Sequence, residues 1–277
     1  MEVASFQYQS FTVYYRVQGT GFPILLLHGF GEDSTVWDNQ LPVLANRMVI
    51  RPDWPGSGLS VVEVDKLTEP EVASLCTLNF YAAIADALLQ HLAIKACIVF
   101  GHSMGGYITM AFVEQYAHYL KGFGLVHSLA LPDSPERKEK REKGIALIGK
   151  YGGYEFLKTS IPNLFASPYR QNEQAKIATL VEKARAFDSR ILQYYYVAIK
   201  ERPDRIEVLR ASKVPVLMIA GKDDTVALLD DVLKQSHVPD TCYLLLLDNT
   251  AHMGIWEAID KLNPFISKYI VDMLEEA

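Results

Sequence analysis

Cysteine is scarce in this 277-residue chain: Cys76, Cys97 and Cys242 are odd in number, far apart and without a C-x-x-C pair. That pattern argues against a disulfide framework and against a zinc site, and it points to a reducing compartment. A basic excess is also missing. The 27 Lys and Arg against 33 Asp and Glu give a formal charge of −6 and a pI near 5.7. Nucleic acid and anionic membrane surfaces reward clustered cations, so neither is an expected partner, and a small or neutral molecule fits better. No apolar run approaches the length of a membrane span, and Met1-Glu2-Val3-Ala4-Ser5 does not open a basic-then-apolar leader. The expectation is a soluble, cytoplasmic protein. H-E-x-x-H, G-x-x-x-x-G-K and closely spaced His and Asp are absent as well, so no metal and no cofactor is expected. There is no internal repeat and no low-complexity segment.

What is present is a hydrophobic content of 49%, enough for a large core in one α/β domain, with or without an insertion. Residues 3–17 alternate apolar and polar side chains and read as two short antiparallel strands at a sheet edge. Residues 23–27 (PILLL) form a continuous apolar run, the mark of a strand buried on both faces. Asp33 or Ser34 is placed to cap a helix running to about Asn46. A strand at 48–50 follows, then turn chemistry at 51–58, a helix over 79–91 and a strand at 96–100. A helix over 104–118 and a strand at 122–127 extend the alternation, which predicts a parallel sheet with ligands at the carboxyl ends of its strands.

The alternation then stops. Residues 132–207 contain no strand-like run but show helical stretches at 134–150, 153–160, 172–187 and 189–201, broken by Gly152-Gly153, Pro162, Pro168 and Pro203. This predicts a helical cap, or lid, inserted between core segments 1–131 and 208–277. A strand at 214–219, a helix at 227–236, a strand at 243–247 and a helix over 256–274 complete the core. Within the insertion, the mixed-charge run 136–143 (ERKEKREK) reads as a solvated helix face with i,i+4 pairs. Its Tyr194-Tyr195-Tyr196, with Phe156, Leu157, Leu164, Phe165 and Trp37, supplies candidates for an apolar acyl or alcohol pocket, with core packing as the rival reading.

The reactive atom is sought in Val99-Phe100-Gly101-His102-Ser103-Met104-Gly105-Gly106, where a strand reverses into a helix. In G-x-S-x-G the glycines leave room for the turn, and the serine is held strained and exposed at the strand end. A serine hydroxyl needs a base within hydrogen-bond reach, and the base needs an acceptor to orient it. His252 follows the strand at 243–247 and Asp224 follows the strand at 214–219, so the chain order is Ser, Asp, His.

With these pieces the chain resembles the α/β-hydrolase superfamily, in its group of small capped serine esterase-like enzymes. The matching segments are HGFG at 28–31, DWPGSGLS at 53–60, GHSMGG at 101–106, GKDDTV at 221–226 and AHMG at 251–254. The resemblance implies an α/β-hydrolase fold, with a mostly parallel eight-stranded sheet flanked by helices. It also implies Ser103 as nucleophile, His252 as base, Asp224 as its orienter, and the backbone N–H groups of Phe30 and Met104 as the oxyanion hole. Such donors stabilise the developing negative charge by about 3 to 4 kcal/mol each, and Met104 also opens a helix whose dipole adds to the same field. The Phe30 side chain is expected as a pocket wall.

Rivals exist for each role. Asp223 adjoins Asp224, and consecutive acids after a strand also cap helices; the family spacing from Gly221 favours Asp224. Asp248 reads as a turn residue. His28 and His102 are assigned to loop geometry, His127 is expected to face the pocket, and His91, His118 and His237 are read as surface residues. The expected activity is cleavage of a small carboxylic ester or related acyl compound through an acyl-enzyme. The same triad also serves C–C bond hydrolysis of a diketone, lactone opening, acyl transfer or perhydrolysis, and a ligand-binding receptor on the same scaffold is an alternative of another class.

Overall fold

The computed structural model describes residues 1–275. β1 (Glu2–Tyr8) and β2 (Phe11–Gln18) form an antiparallel hairpin in which Phe6 pairs with Val13. Alternate residues of β2, Phe11, Val13 and Tyr15, are buried, as the period-two pattern requires. β3 (Pro23–Leu27) and β4 (Met48–Pro52) follow, then α1 (Glu69–Leu75), α2 (Leu78–His91), β5 (Cys97–His102), α3 (Met104–Tyr116) and β6 (Leu120–Val126). After an all-helical stretch come β7 (Val216–Gly221), α10 (Leu229–Ser236) and β8 (Cys242–Leu247), with α11 (Gly254–Glu257) and α12 (Ile259–Glu275) at the end. The stretch itself holds α4 (Pro135–Tyr151), α5 (Gly153–Ser160), α6 (Ser167–Asn172), α7 (Gln174–Lys183), α8 (Ser189–Lys200) and α9 (Ile206–Ala211).

The eight strands lie in the order β1-β2-β4-β3-β5-β6-β7-β8, antiparallel from β1 to β4 and parallel across the rest. Helices cover both faces. A Cβ at Gly101 would meet Thr109 of α3, whereas the neighbouring Phe100 ring packs on Tyr269 of α12. Successive strand residues point to opposite faces, so α3 and α12 lie on opposite sides of β5. This fully apolar double-sided burial explains why β3 and β5 read as continuous hydrophobic runs.

Several elements differ from the expectations. Residues 34–44 are a 3-10 segment, capped by Asp33 through the Thr35 N–H at 2.7 Å and holding Pro42, which cannot donate inside an α-helix. Helix 172–187 is shorter, α7, preceded by α6 and ending in a 3-10 turn at 184–186. The final helix is broken at Ala258. α1 was not foreseen, although Thr68-Glu69-Pro70-Glu71 carries its signal: Thr68 and Glu71 form a capping box, with Pro inside the first turn. Among the described residues no single helix is long and apolar enough to cross a membrane.

α4 packs along α8, joined by Gln193 Nε2 donating to Ile145 O at 3.0 Å. At the far end the helical stretch is tied to the core by buried Arg205, which donates to Glu114 (3.0 Å) and Asn79 (2.6 Å).

Candidate active site

Ser103 stands between β5 and α3 at φ 52°, ψ −118°, a conformation an L-residue adopts only when its surroundings enforce it. Enforcement comes from both sides. Its N–H donates to Val126 O at 3.0 Å, and its carbonyl accepts from Gly106 N–H (2.9 Å) and Ser128 Oγ (2.8 Å). The sharp reversal presses the backbone so close that a Cβ at Gly105 would lie 2.2 Å from Leu27 O, and one at Gly101 2.1 Å from Gly105 O. Only glycine fits there.

Ser103 Oγ donates to His252 Nε2 at 2.8 Å, and His252 Nδ1 donates to Asp224 Oδ2 at 2.9 Å. The chain brings these three residues together from the ends of β5, β7 and β8, across up to 149 positions of sequence. Asp224 is nearly fully buried, which disfavours its charge. His252, His127 and two backbone donors nevertheless hold its carboxyl well below the ordinary range. Those donors, Val226 and Ala227 N–H, sit at 2.7 and 3.0 Å from Oδ1 and leave Oδ2 for the imidazoles. Asp223 is exposed and Asp248 pairs with Lys222 at 2.6 Å, so neither rival reaches His252.

His127 departs from its expected place. It does not line the cavity at Ser103; its Nδ1 donates to Asp224 Oδ2 at 3.2 Å, and its Nε2 is buried against Gly254 with no partner among the described residues. Burial pushes the ring down to about 4, against the pull of Asp224, so it is neutral at pH 7. His127, Asp224 and His252 lie close enough to hold a metal ion. Both Nδ1 atoms hydrogen-bond to the carboxylate.

The remaining loop histidines hold backbone. His28 Nδ1 donates to Gly29 O (3.0 Å), and its Nε2 accepts from Trp54 N–H (3.2 Å). His102 lies 3.0 Å from Glu32 Oε1 through Nδ1 and donates to His252 O through Nε2, also at 3.0 Å. Burial opposes a charge on the ring, but Glu32 prevails and raises its pKa, while His102 holds that of Glu32 below the ordinary range against burial.

Glu257 carries no sequence signal of its place at the site. Oε1 accepts from Ala251 and Met253 N–H, both at 3.1 Å, and Oε2 accepts from Ala166 N–H at 2.7 Å. Burial raises its pKa to about 7, outweighing the three donors, with Asp224 adding to the rise. His252 N–H also donates to Leu164 O at 2.9 Å. The loop carrying the histidine is therefore anchored to residues 164–166 of the helical stretch. No sequence motif marks such a tie.

Ser103 and His252 open into a cavity of about 80 Å3. Leu157, Ile161 and Leu164 supply its apolar wall from the helical stretch, with Phe30 and Val226 from the core. Phe30 stacks on Tyr196 at 4.1 Å between centroids. Of the aromatic candidates, Tyr196 lines the cavity, while Tyr195 and Trp37 are fully buried in packing, Tyr195 donating to Pro55 O at 2.9 Å. Arg141 also lines it, contrary to the reading of residues 136–143 as a solvated face.

A strained serine at a strand-to-helix turn of a parallel sheet, hydrogen-bonded to a histidine from a later strand end, defines the hydrolases of this architecture. The sequence model described as alpha/beta hydrolase fold matches residues 23–259, and the chain belongs to that family. It is 25% identical over 261 residues to Lipase 3 of a Moraxella species, covering 87% of this chain and 74% of that protein. Among solved structures it resembles a thermophilic esterase from Thermogutta terrifontis, with a TM-score of 0.88, 24% identity and 99% of each chain covered. An enol-lactonase from Burkholderia xenovorans superposes with a TM-score of 0.84 at 22% identity, over 98% of this chain and 100% of that one.

Proposed function

We propose that the protein is a cofactor-independent serine hydrolase that cleaves a small carboxylic ester, or a related acyl compound, through an acyl-enzyme. The observation that carries this reading is the unbroken hydrogen-bonded line from Asp224 through His252 to Ser103 Oγ, ending in a cavity. Asp224, kept ionised, fixes the proton of His252 on Nδ1 and leaves Nε2 free to act as base. Ser103 Oγ attacks the acyl carbon as His252 takes its proton, and the carbonyl oxygen becomes an oxyanion. The Phe30 and Met104 N–H groups receive that charge, with the N-terminal dipole of α3 behind Met104. Collapse expels the alcohol, protonated by His252. Water, deprotonated by the same ring, then releases the acid and restores Ser103.

Residues 132–207 act in this reading as a cap that supplies the substrate wall, since Leu157, Ile161, Leu164 and Tyr196 all come from it. The names of the lipase, esterase and enol-lactonase relatives all describe acyl cleavage, which supports the same class of reaction. The test is labelling by a fluorophosphonate probe alongside hydrolysis of p-nitrophenyl acetate. Wild-type protein is expected to be labelled and to turn over, and Ser103→Ala to do neither. Equal labelling of the two proteins would sink the proposal.

A further inference from the structure

Arg141 belongs to the charged face of α4 by sequence, yet its side chain turns to the cavity that holds Ser103 and His252 and is only 18% exposed. A guanidinium placed there is costly unless an opposite charge meets it. Asp133 is the carboxylate at hand, 3.2 Å from Arg141 Nε and 1% exposed. It is shared, because Arg202, 2% exposed, lies 2.8 Å from its other oxygen. Arg202 is further held by Leu131 O (3.0 Å) and Ile199 O (2.8 Å), with its guanidinium 4.0 Å over the Tyr107 ring. Two guanidiniums on one carboxylate leave one positive charge unmatched, and Arg141 is the member of the pair that lines the cavity.

Its other neighbours do not cancel that charge. The Tyr196 ring lies 5.1 Å from the guanidinium and its hydroxyl stays neutral, because burial raises its pKa despite Arg141 itself. Glu32 lines the same cavity but is committed to Gly29 N–H (2.6 Å) and to His102 Nδ1 (3.0 Å).

We propose that Arg141 receives a carboxylate carried by the substrate, so that the enzyme selects short acyl compounds bearing one anionic group over neutral isosteres. This rests on the serine-hydrolase reading above. The planar fork of arginine matches a carboxylate. A single negative charge balances the site, whereas a phosphate monoester would bring an excess beside Glu32. The small cavity keeps the charged group within a short chain of the scissile carbonyl.

The test uses two matched pairs of substrates followed by pH-stat. Monomethyl glutarate against methyl hexanoate places the charge on the acyl side, and acetoxyacetate against isobutyl acetate places it on the alcohol side. In at least one pair the carboxylate ester is expected to lead in kcat/KM by about 10- to 100-fold, the effect of a charged hydrogen bond. Arg141→Met should bring that ratio to near one, and Arg141→Lys should keep part of it. A guanidinium that merely held α4 to Asp133 would lower both members of a pair together and leave the ratio intact. An intact ratio in Arg141→Met, or neutral esters leading in both pairs, overturns the proposal. Should Arg141→Met fail to fold, glutaramate, with its single carboxylate, must slow fluorophosphonate labelling of the wild-type protein while hexanamide does not; equal protection by the two overturns it. Labelling of Ser103 without any carboxylate preference defeats only this inference, whereas no labelling at all defeats the reading beneath it as well.

Discussion

The sheet and the helical stretch between β6 and β7 meet at the same cavity but are built differently. β5 and β7 are buried at every residue, whereas α4 buries only Gly144 and Ile148, and α6 buries none of its side chains. The strand ends hold Ser103, His252 and Asp224 through bonds of 2.8 and 2.9 Å, with loop carbonyls and amides fixed around them. The helices contribute wall, one cation and two ties to the histidine loop. The contrast teaches a division of labour that the proposed function would use: the proton-moving groups it names sit where packing leaves no slack, and the substrate-sorting groups it names sit on an element whose outer face is free to vary.

That division can be broken from the sheet side first. Ser103→Ala should lower kcat for p-nitrophenyl acetate by about a million-fold, with little change in thermal midpoint; a loss below a hundredfold would move the nucleophile elsewhere. Asp224→Asn should cost about ten-thousand-fold in kcat by disturbing the tautomer of His252, and a variant near wild-type activity would separate Asp224 from the chemistry.

Packing should follow the same order. Gly105→Ala drives a methyl to 2.2 Å from Leu27 O, so urea unfolding should show a loss of about 3 kcal/mol or more. Gly152→Ala, between α4 and α5, meets nothing within 4 Å and bears only the backbone strain of φ 91°, ψ 154°, for a loss of about 1 to 3 kcal/mol. Equal losses would erase the contrast.

A pH-dependent effect lies at the seam. Glu257 has a native pKa raised to about 7 from an ordinary 4.5, so the folded protein binds a proton that the unfolded chain releases. Its contribution to stability is full below about pH 4.5, declines as pH rises towards 7 and is flat above. Thermal midpoints between those values should therefore fall more steeply in wild type than in Glu257→Gln, and parallel curves would show that this carboxyl does not titrate there.

Much of this was legible beforehand. The hairpin, the buried parallel strands and the elbow follow from periodicities and turn residues that act within a few positions of one another. That Ser103, Asp224 and His252 meet could be expected because each lies at or within a few residues of a strand end. Arg141, Glu257 and His127 were not legible. Arg141 sits in a run whose spacing looks solvated from every side, and only the fold shows which part of α4 meets the cavity. Glu257 has no motif, since its partners are backbone amides that any residue supplies. His127 looked free to face a pocket, but its neighbour Asp224 lies 97 positions away.

Residue order alone settled the class of fold and the residues at its strand ends, because local propensity and the alternation of strand and helix are properties of short segments. Tertiary structure decided the rest: which oxygen of Asp224 meets which imidazole, how the histidine loop is tied to residues 164–166, and that Arg141 borders the cavity while sharing Asp133 with buried Arg202. These depend on contacts between segments scores of residues apart, whose energies exist only once the chain has closed.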